Sequence, residues 1–351
     1  MNSMRWMAVV ALGWLAVGAQ AQPPCAPSGE VTYVCGPKNP EDLVLVPGTQ
    51  WIVSSGMAEG AGFYLVDSKA GSFSALAFTA QHDPAFASCA TPPTAQTLNT
   101  HGLSIRAAGA NRARLYVVGH GGREAVEVFD VDATGARPTL TWRGCVLMPE
   151  GLAANSVASF ADGSIVATVL FMPGTTFADA IVALKPTGAV FEWSPGKPSF
   201  ELVRGTELPA NNGIETSADG REIYVASSGL QTIVAFSHSN PARQLRTTRP
   251  LGFTPDNVHL APDGRLVTAG MANDVPECGG APGAEHDIEK LSRCPRPTIA
   301  VAIDPATMQD TVIATTSATP AFSNATMVLP VGREAWIGTF SGDRIARAPL
   351  R

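Results

Sequence analysis

Charge is scarce in this sequence: Asp, Glu, Lys and Arg make up only 15% of its 351 residues, and no cluster of Lys or Arg stands out. With a formal net charge of -6 the chain lacks the basic footprint by which proteins hold nucleic acid, so no nucleic-acid partner is expected. Long apolar runs are missing after the first residues, which leaves nothing there to span a bilayer as a helix. Several catalytic signatures are missing too. No Cys-x-x-Cys pair offers a zinc site, no His-Glu-x-x-His a metalloprotease helix, and no Gly-x-Ser-x-Gly a nucleophile elbow. Ser194-Pro195-Gly196-Lys197 fits Ser-x-x-Lys formally, but Pro and Gly between strands make it a hairpin turn.

What is present favours many short strands. Hydrophobic residues reach 45%, and 34 Gly and 28 Pro supply turns. At the start, Arg5 precedes an apolar run that ends in Ala19-Gln20-Ala21, the small-x-small pattern of signal-peptide cleavage. Residues 1–21 are therefore expected to be a signal peptide, 22–40 an N-terminal segment and 41–351 one domain, with the mature protein periplasmic or secreted and without a membrane span. Six cysteines (Cys25, Cys35, Cys89, Cys145, Cys278 and Cys294) then sit in an oxidising compartment, where disulfides are the default. Cys278 with Cys294 is the first expected pair because it closes one Gly/Pro-rich insertion, and Cys25 with Cys35 is the next.

A two-part phrase recurs along the chain. Its first part joins a turn to an alternating strand: VPGTQWIVSSG, GANRARLYVVGH, ADGSIVATVL, ADGREIYVAS, APDGRLVTAG and VGREAWIGTF. Its second part is a further strand: GFYLVDS, AVEVFDV, AIVALKP, TIVAFSH, TIAVAID and RIARAPL. Asp-Gly and related turns favour tight hairpins because Gly accepts positive φ, so each phrase predicts antiparallel strands A, B and C, with segments such as AVFEWSP or DTVIATT as C or D. Six such units predict an all-β fold, a six-bladed β-propeller.

Seven positions before each turn the sequence places a polar residue: Glu41, His101, Asn155, Asn212, Asp256 and Asn324. These positions begin the innermost strands, so a propeller gathers them at one mouth of its central tunnel. His120, at the end of a returning B strand, is expected beside His101. The insertion after RLVTAG is expected on the same face as a disulfide-closed lid. Two acids and several amide oxygens converging on one point suit calcium, which takes oxygen ligands, better than zinc. Asn324 is expected to line the pocket. Taken singly, these residues read as solvated charges and turn formers, and His82, His238, His259 and His286 read as surface or structural.

The segments NPEDLVLVPGTQWIVSSG, THGLSI, LYVVGH, PANNGIETSADGREIYVA, PDNVHLAPDGRL and WIGTF, in this order, make the chain resemble the paraoxonase family within the broader group of gluconolactonase and strictosidine synthase-like propellers. The resemblance implies a catalytic calcium held by Glu41, Asn155, Asn212, Asp256 and Asn257, with His101 and His120 as a catalytic histidine dyad. It also implies a second, structural calcium at Asp42, the Leu103 carbonyl and Ser156. Ser156 stands where the family has Asp, which weakens that second set. The implied chemistry is hydrolysis of a lactone or aryl ester, a small-molecule substrate whose carbonyl is polarised by the metal and attacked by water. The competing expectations are a gluconolactonase-like sugar-lactone hydrolase and a non-catalytic metabolite-binding propeller.

Overall fold

The computed structural model describes residues 25–281 and 294–351. The expected signal peptide, His286 and the middle of the fifth-blade insertion lie outside these residues. Six antiparallel sheets follow one another around a central axis. From inside to outside, blade one is Leu43–Leu45, Trp51–Ser55, Phe63–Asp67 and Ser72–Ala75. Blade two is Asn99–Ala107, Arg112–His120, Ala125–Asp132 and Thr139–Leu147, with Phe78–Ala80 added in parallel at its edge. Blade three is Val157–Ser159, Ile165–Val169, Gly188–Trp193 and Glu201–Leu208; blade four is Asn211–Thr216, Glu222–Ser227, Thr232–Ser237 and Gln244–Thr247. Blade five is Phe253–Leu260, Leu266–Ala272, Thr298–Ile303 and Asp310–Thr316. Blade six takes Ala325–Val331, Glu334–Thr339 and Arg344–Pro349 from the end of the chain and Thr32–Cys35 from its beginning.

That last pairing closes the ring. Thr32 lies opposite Arg347 and Cys35 opposite Arg344. Part of the segment 22–40 thus belongs to the propeller itself, as its outermost sixth-blade strand.

The predicted hairpin turns follow from backbone chemistry. Gly163 and Gly220, in the Ala-Asp-Gly turns of blades three and four, adopt φ of +90° and +72°, which a Cβ would oppose. The alternating strands pack their apolar residues between neighbouring blades. Val53 and Leu65 of blade one meet Leu103, Leu115 and Phe129 of blade two in one buried cluster. Val157 and Ile165 of blade three meet Val118, Val126 and Val146 of blade two in another. Each such side chain contributes about 1.5–3 kcal/mol on leaving water, so the blades are held face to face by many small terms.

One expected strand is absent. AIVALKP is not strand C of blade three, which is formed instead by Gly188–Trp193. A capping box between Thr176 and Asp179 starts a short helix, Phe177–Ile181, and its capping bonds outweigh the β-branched composition that follows. All six cysteines pair: Cys25 with Cys35, Cys89 with Cys145, and Cys278 with Cys294. Among the described residues no helix is long and apolar enough to cross a membrane.

Candidate active site at the tunnel mouth

The innermost strands break their ladders where the chemistry is concentrated. Register shifts fall between Thr100 and Leu103, Asn211 and Ile214, Pro255 and Val258, and Ala325 and Met327. Such bulges turn side chains out of the pleat, here bringing His101, Asn212, Asp256 and Asn257 to the tunnel. Glu41 and Asn155 precede the first paired residues of their blades.

Cross-blade bonds lock this ring. The Thr168 hydroxyl donates to the Asn212 carbonyl, Ser228 to the Pro255 carbonyl and Thr326 to the Glu41 carbonyl. The Gly102 N–H reaches the Asn155 carbonyl at 3.3 Å. Glycine follows His101 and Asn212 for a steric reason: a Cβ on Gly102 would lie 2.6 Å from Ser156 Cα, and one on Gly213 would lie 2.4 Å from the Asp256 carbonyl oxygen. The HGL and NNGI segments are thus the close contacts of blade against blade. In NNGI the two asparagines have different work: Asn211 ties its own loop through Thr206 and Leu208, while Asn212 faces the tunnel cavity.

Glu41, His101, Asn155, Asn212, Asp256 and Arg296 line a cavity of about 250 Å³. Glu41, Asp256 and nearby Asp42 are 1%, 8% and 0% exposed, so three carboxyls share a buried space. Burial, with Asp256 and then Asp42 adding repulsion, holds the Glu41 carboxyl well above its usual range. Burial and Asp42 push Asp256 up to about 7. Three buried oxygens from three blades have no hydrogen-bond donor: Glu41 Oε2, Asn155 Oδ1 and Asn212 Oδ1. Unsatisfied acceptors beside repelling acids are the environment a hard divalent cation relieves, so this donor set fits calcium. Among the described residues no group of three or more His, Cys, Asp or Glu forms a metal cluster by itself, and the fit depends on the amides. Asn257 stands behind this set, donating its Nδ2–H to Glu41 Oε1 at 2.6 Å.

The second expected set does not fit a cation. Asp42 Oδ1 accepts from the Leu43 N–H at 2.8 Å and from His259 Nε2 at 2.9 Å, and Oδ2 accepts from the Leu103 N–H at 2.7 Å. The carboxylate on which that site depends is thus already held by three donors. His259 Nδ1 faces Glu215 Oε2 at 3.6 Å. Burial depresses the imidazole, but Asp42 and Glu215 outweigh it and push its pKa up to about 10. Ser156 Oγ is buried without a partner and brings no charge. His259, read from the sequence as surface or structural, is the side-chain partner of Asp42 here.

His101 and His120 meet as expected, with Nδ1 of the first 3.2 Å from Nε2 of the second. His120 Nδ1 lies 2.7 Å from Glu124 Oε2, a partner the sequence reading missed although it is four residues away. The carboxylate fixes both tautomers. It takes the His120 Nδ1–H, which leaves His120 Nε2 to accept from His101 Nδ1–H, so the free lone pair is on His101 Nε2. That atom lies 3.8 Å from Glu41 Oε1. Burial, reinforced by His120, lowers the His101 pKa to about 3, so His101 is neutral at ordinary pH.

The rest of the cavity is mostly apolar, with Ser228 and Thr254 as its polar members. Leu170, Phe171, Phe177 and Ile181 come from the third-blade segment between Val169 and Gly188, and Met57, Met271 and Phe340 add to the walls. Asn324, expected to line the pocket, is not among the lining residues. Its side-chain oxygen accepts from the Arg296 N–H at 3.0 Å instead.

The family model for the SMP-30/gluconolactonase/LRE-like region matches residues 57–279, more than half of the chain. The chain belongs to that family. Its propeller is similar to a gluconolactonase from Xanthomonas campestris at 16% identity and a TM-score of 0.51, covering 93% of this chain and 92% of that one. It is also similar to regucalcin, a calcium-binding protein from Agrobacterium tumefaciens, at 10% identity and a TM-score of 0.51, covering 91% and 94%. A luciferin-regenerating enzyme aligns at 11% identity and a TM-score of 0.52, covering 90% and 94%. Likeness at these identities concerns the fold. No curated protein matches the sequence.

Proposed function

We propose that this member of the SMP-30/gluconolactonase/LRE-like family is a calcium-dependent hydrolase of lactones and aryl esters, exported to the periplasm or beyond. The observation that carries the reading is the set of orphaned acceptors Glu41 Oε2, Asn155 Oδ1 and Asn212 Oδ1 beside a histidine whose free lone pair faces the same cavity. Glu41, Asn155, Asn212 and Asp256 would hold the ion, with Asn257 bracing Glu41. A bound calcium ion supplies positive charge against the carbonyl oxygen of the substrate. The membership of the chain in a gluconolactonase-like family supports the reaction class, and the calcium-binding regucalcin supports the metal.

His101 Nε2 takes a proton from the attacking water as its oxygen bonds to the carbonyl carbon. His101 Nδ1–H passes its own proton to His120 Nε2, and Glu124 stabilises the imidazolium so formed. When the C–O bond of the ester breaks, the same path returns a proton to the leaving oxygen. Phe171, Phe177 and Ile181 favour a substrate with a hydrocarbon portion over a sugar lactone, whose hydroxyls would find few partners on those walls.

The test is a hydrolysis screen of aliphatic lactones, sugar lactones and aryl esters, with calcium and with chelator, using Asp256→Ala as control. Chelator-sensitive turnover that D256A lacks is expected. Purified protein that binds calcium yet turns over no ester would leave a binding propeller in place of an enzyme.

A further inference from the structure

Arg296 is the one charged pocket residue whose chemistry the proposed reaction does not use. It lies two positions after Cys294, between Pro295 and Pro297, and is 5% exposed. Its backbone is clamped from both sides: the Arg296 N–H donates to Asn324 Oδ1 at 3.0 Å, and the Asn324 N–H donates to the Arg296 carbonyl at 3.2 Å. The flanking prolines restrict φ further, so the guanidinium is delivered into the cavity by a stiff segment.

Its charged end is poorly paired. Nη2 donates to the Met271 thioether at 3.0 Å, a weak acceptor, and Nε has no partner. Among the described residues no carboxylate lies within ion-pair distance of Arg296. Asp256 attracts it through the cavity, but in the hydrolase reading that carboxylate is committed to calcium. Burial lowers the guanidinium pKa to about 10, which still leaves it charged at neutral pH. Two carboxylates, Glu41 and Asp256, balance one divalent ion, and Arg296 then adds a positive charge that nothing in the cavity balances. A buried guanidinium with open donors calls for an anion, and its planar fork matches a carboxylate.

We propose that Arg296 binds a carboxylate carried by the substrate, so that the preferred substrates are esters or lactones bearing a carboxylate in addition to the bond that is cleaved. The apolar side of the cavity, around Phe171 and Phe177, takes the hydrocarbon between those two groups. The inference deepens the hydrolase reading and rests on it for the word substrate, although carboxylate binding is measurable without turnover.

The experiment compares two aryl esters of equal acyl length, p-nitrophenyl hexanoate and the p-nitrophenyl monoester of adipic acid, on the calcium-loaded protein. Wild type is expected to prefer the anionic ester. Arg296→Gln should lose roughly 100-fold in kcat/KM for it, mainly through KM, with the neutral ester changed by less than about threefold. R296K should restore part of the loss, which a folding defect would not allow. Equal preference in wild type, or equal losses on both esters in R296Q, would overturn the assignment. Calorimetric titration with adipate separates the two readings: if neither ester is hydrolysed the hydrolase reading fails, while adipate binding to wild type and not to R296Q still upholds the carboxylate site. Absence of that binding sinks it.

Discussion

His259 donates from Nε2 to Asp42 Oδ1 across 2.9 Å, one step down the tunnel from Glu41 and Asn257. The contact joins side chains 217 residues apart in sequence and ties blade five to blade one. Calcium stoichiometry follows from it. Equilibrium dialysis of chelator-treated protein should find one ion per chain in wild type. His259→Asn removes a donor from Asp42 and from the neighbourhood of Glu215, leaving two carboxylates to recruit one further ion. A wild-type value of two, or no gain in H259N, would show that His259 does not stand in for the second cation. A wild-type value of zero would count against the ring as a calcium site.

Stability should depend on pH in opposite ways with and without metal. The folded-state pKa of Asp256 is raised to about 7 and that of Glu41 is raised as well. In metal-free protein their contribution is therefore present in full below the unfolded carboxylate range, about pH 4, and is lost as pH rises through about 7. Because the lowered pKa of His101 works in the opposite direction below about pH 6.5, the effect is read against Asp256→Asn: in chelator the melting temperature of wild type should fall relative to D256N between pH 4 and 8. With calcium in excess the ion binds the charged carboxylates, and the curve should flatten or rise. Parallel curves under both conditions would contradict the assignment of these acids as metal ligands.

The chain from Glu124 through His120 to His101 predicts a graded series. His101→Gln removes the lone pair and should abolish turnover. His120→Gln should lower it by roughly 100-fold. Glu124→Gln keeps an acceptor but loses the charge that stabilises the His120 imidazolium, so kcat should fall about tenfold with KM unchanged. Indifference of activity to all three substitutions would favour a sugar-lactone hydrolase of a different design.

Gly213→Ala tests the packing of the ring without touching a side chain in it. The new Cβ meets the Asp256 carbonyl oxygen at 2.4 Å and must push blade four from blade five. A loss of about 1–3 kcal/mol in urea unfolding is expected from such overpacking, together with weaker calcium retention. Normal retention would mean that the ring tolerates displacement.

Much of this was legible because a propeller blade repeats. The turn after each innermost strand recurs as Asp-Gly or a relative, and a strand of constant height separates it from the mouth, so a fixed count reached Glu41, Asn155, Asn212 and Asp256. Contacts between blades were less legible. His259 lacks any local sign of its partner, since Asp42 lies at the other end of the chain. Arg296 sits in a Pro-rich insertion with no periodicity to place it. AIVALKP has the composition of a strand, and only the Thr176–Asp179 capping box, readable as T-x-x-D, argued for the helix whose Phe177 and Ile181 form the apolar wall.

Ring closure by the first strand also sets an order of events during synthesis. Thr32–Cys35 pairs with Arg344–Pro349, so these residues wait for about 300 others to emerge and fold, the longest-range strand pairing among the described residues and the slowest kind to form. Glu41 follows that strand by six residues and reaches its place only when the seam is made. The mouth of the tunnel is thus completed last, and an ion held by Glu41 on one side of the seam and by Asp256 on the other would act as its latch. Escape of calcium and opening of the ring should then be one kinetic process, with the rate of metal loss to excess chelator reporting how often a newly made or aged molecule comes unbuttoned.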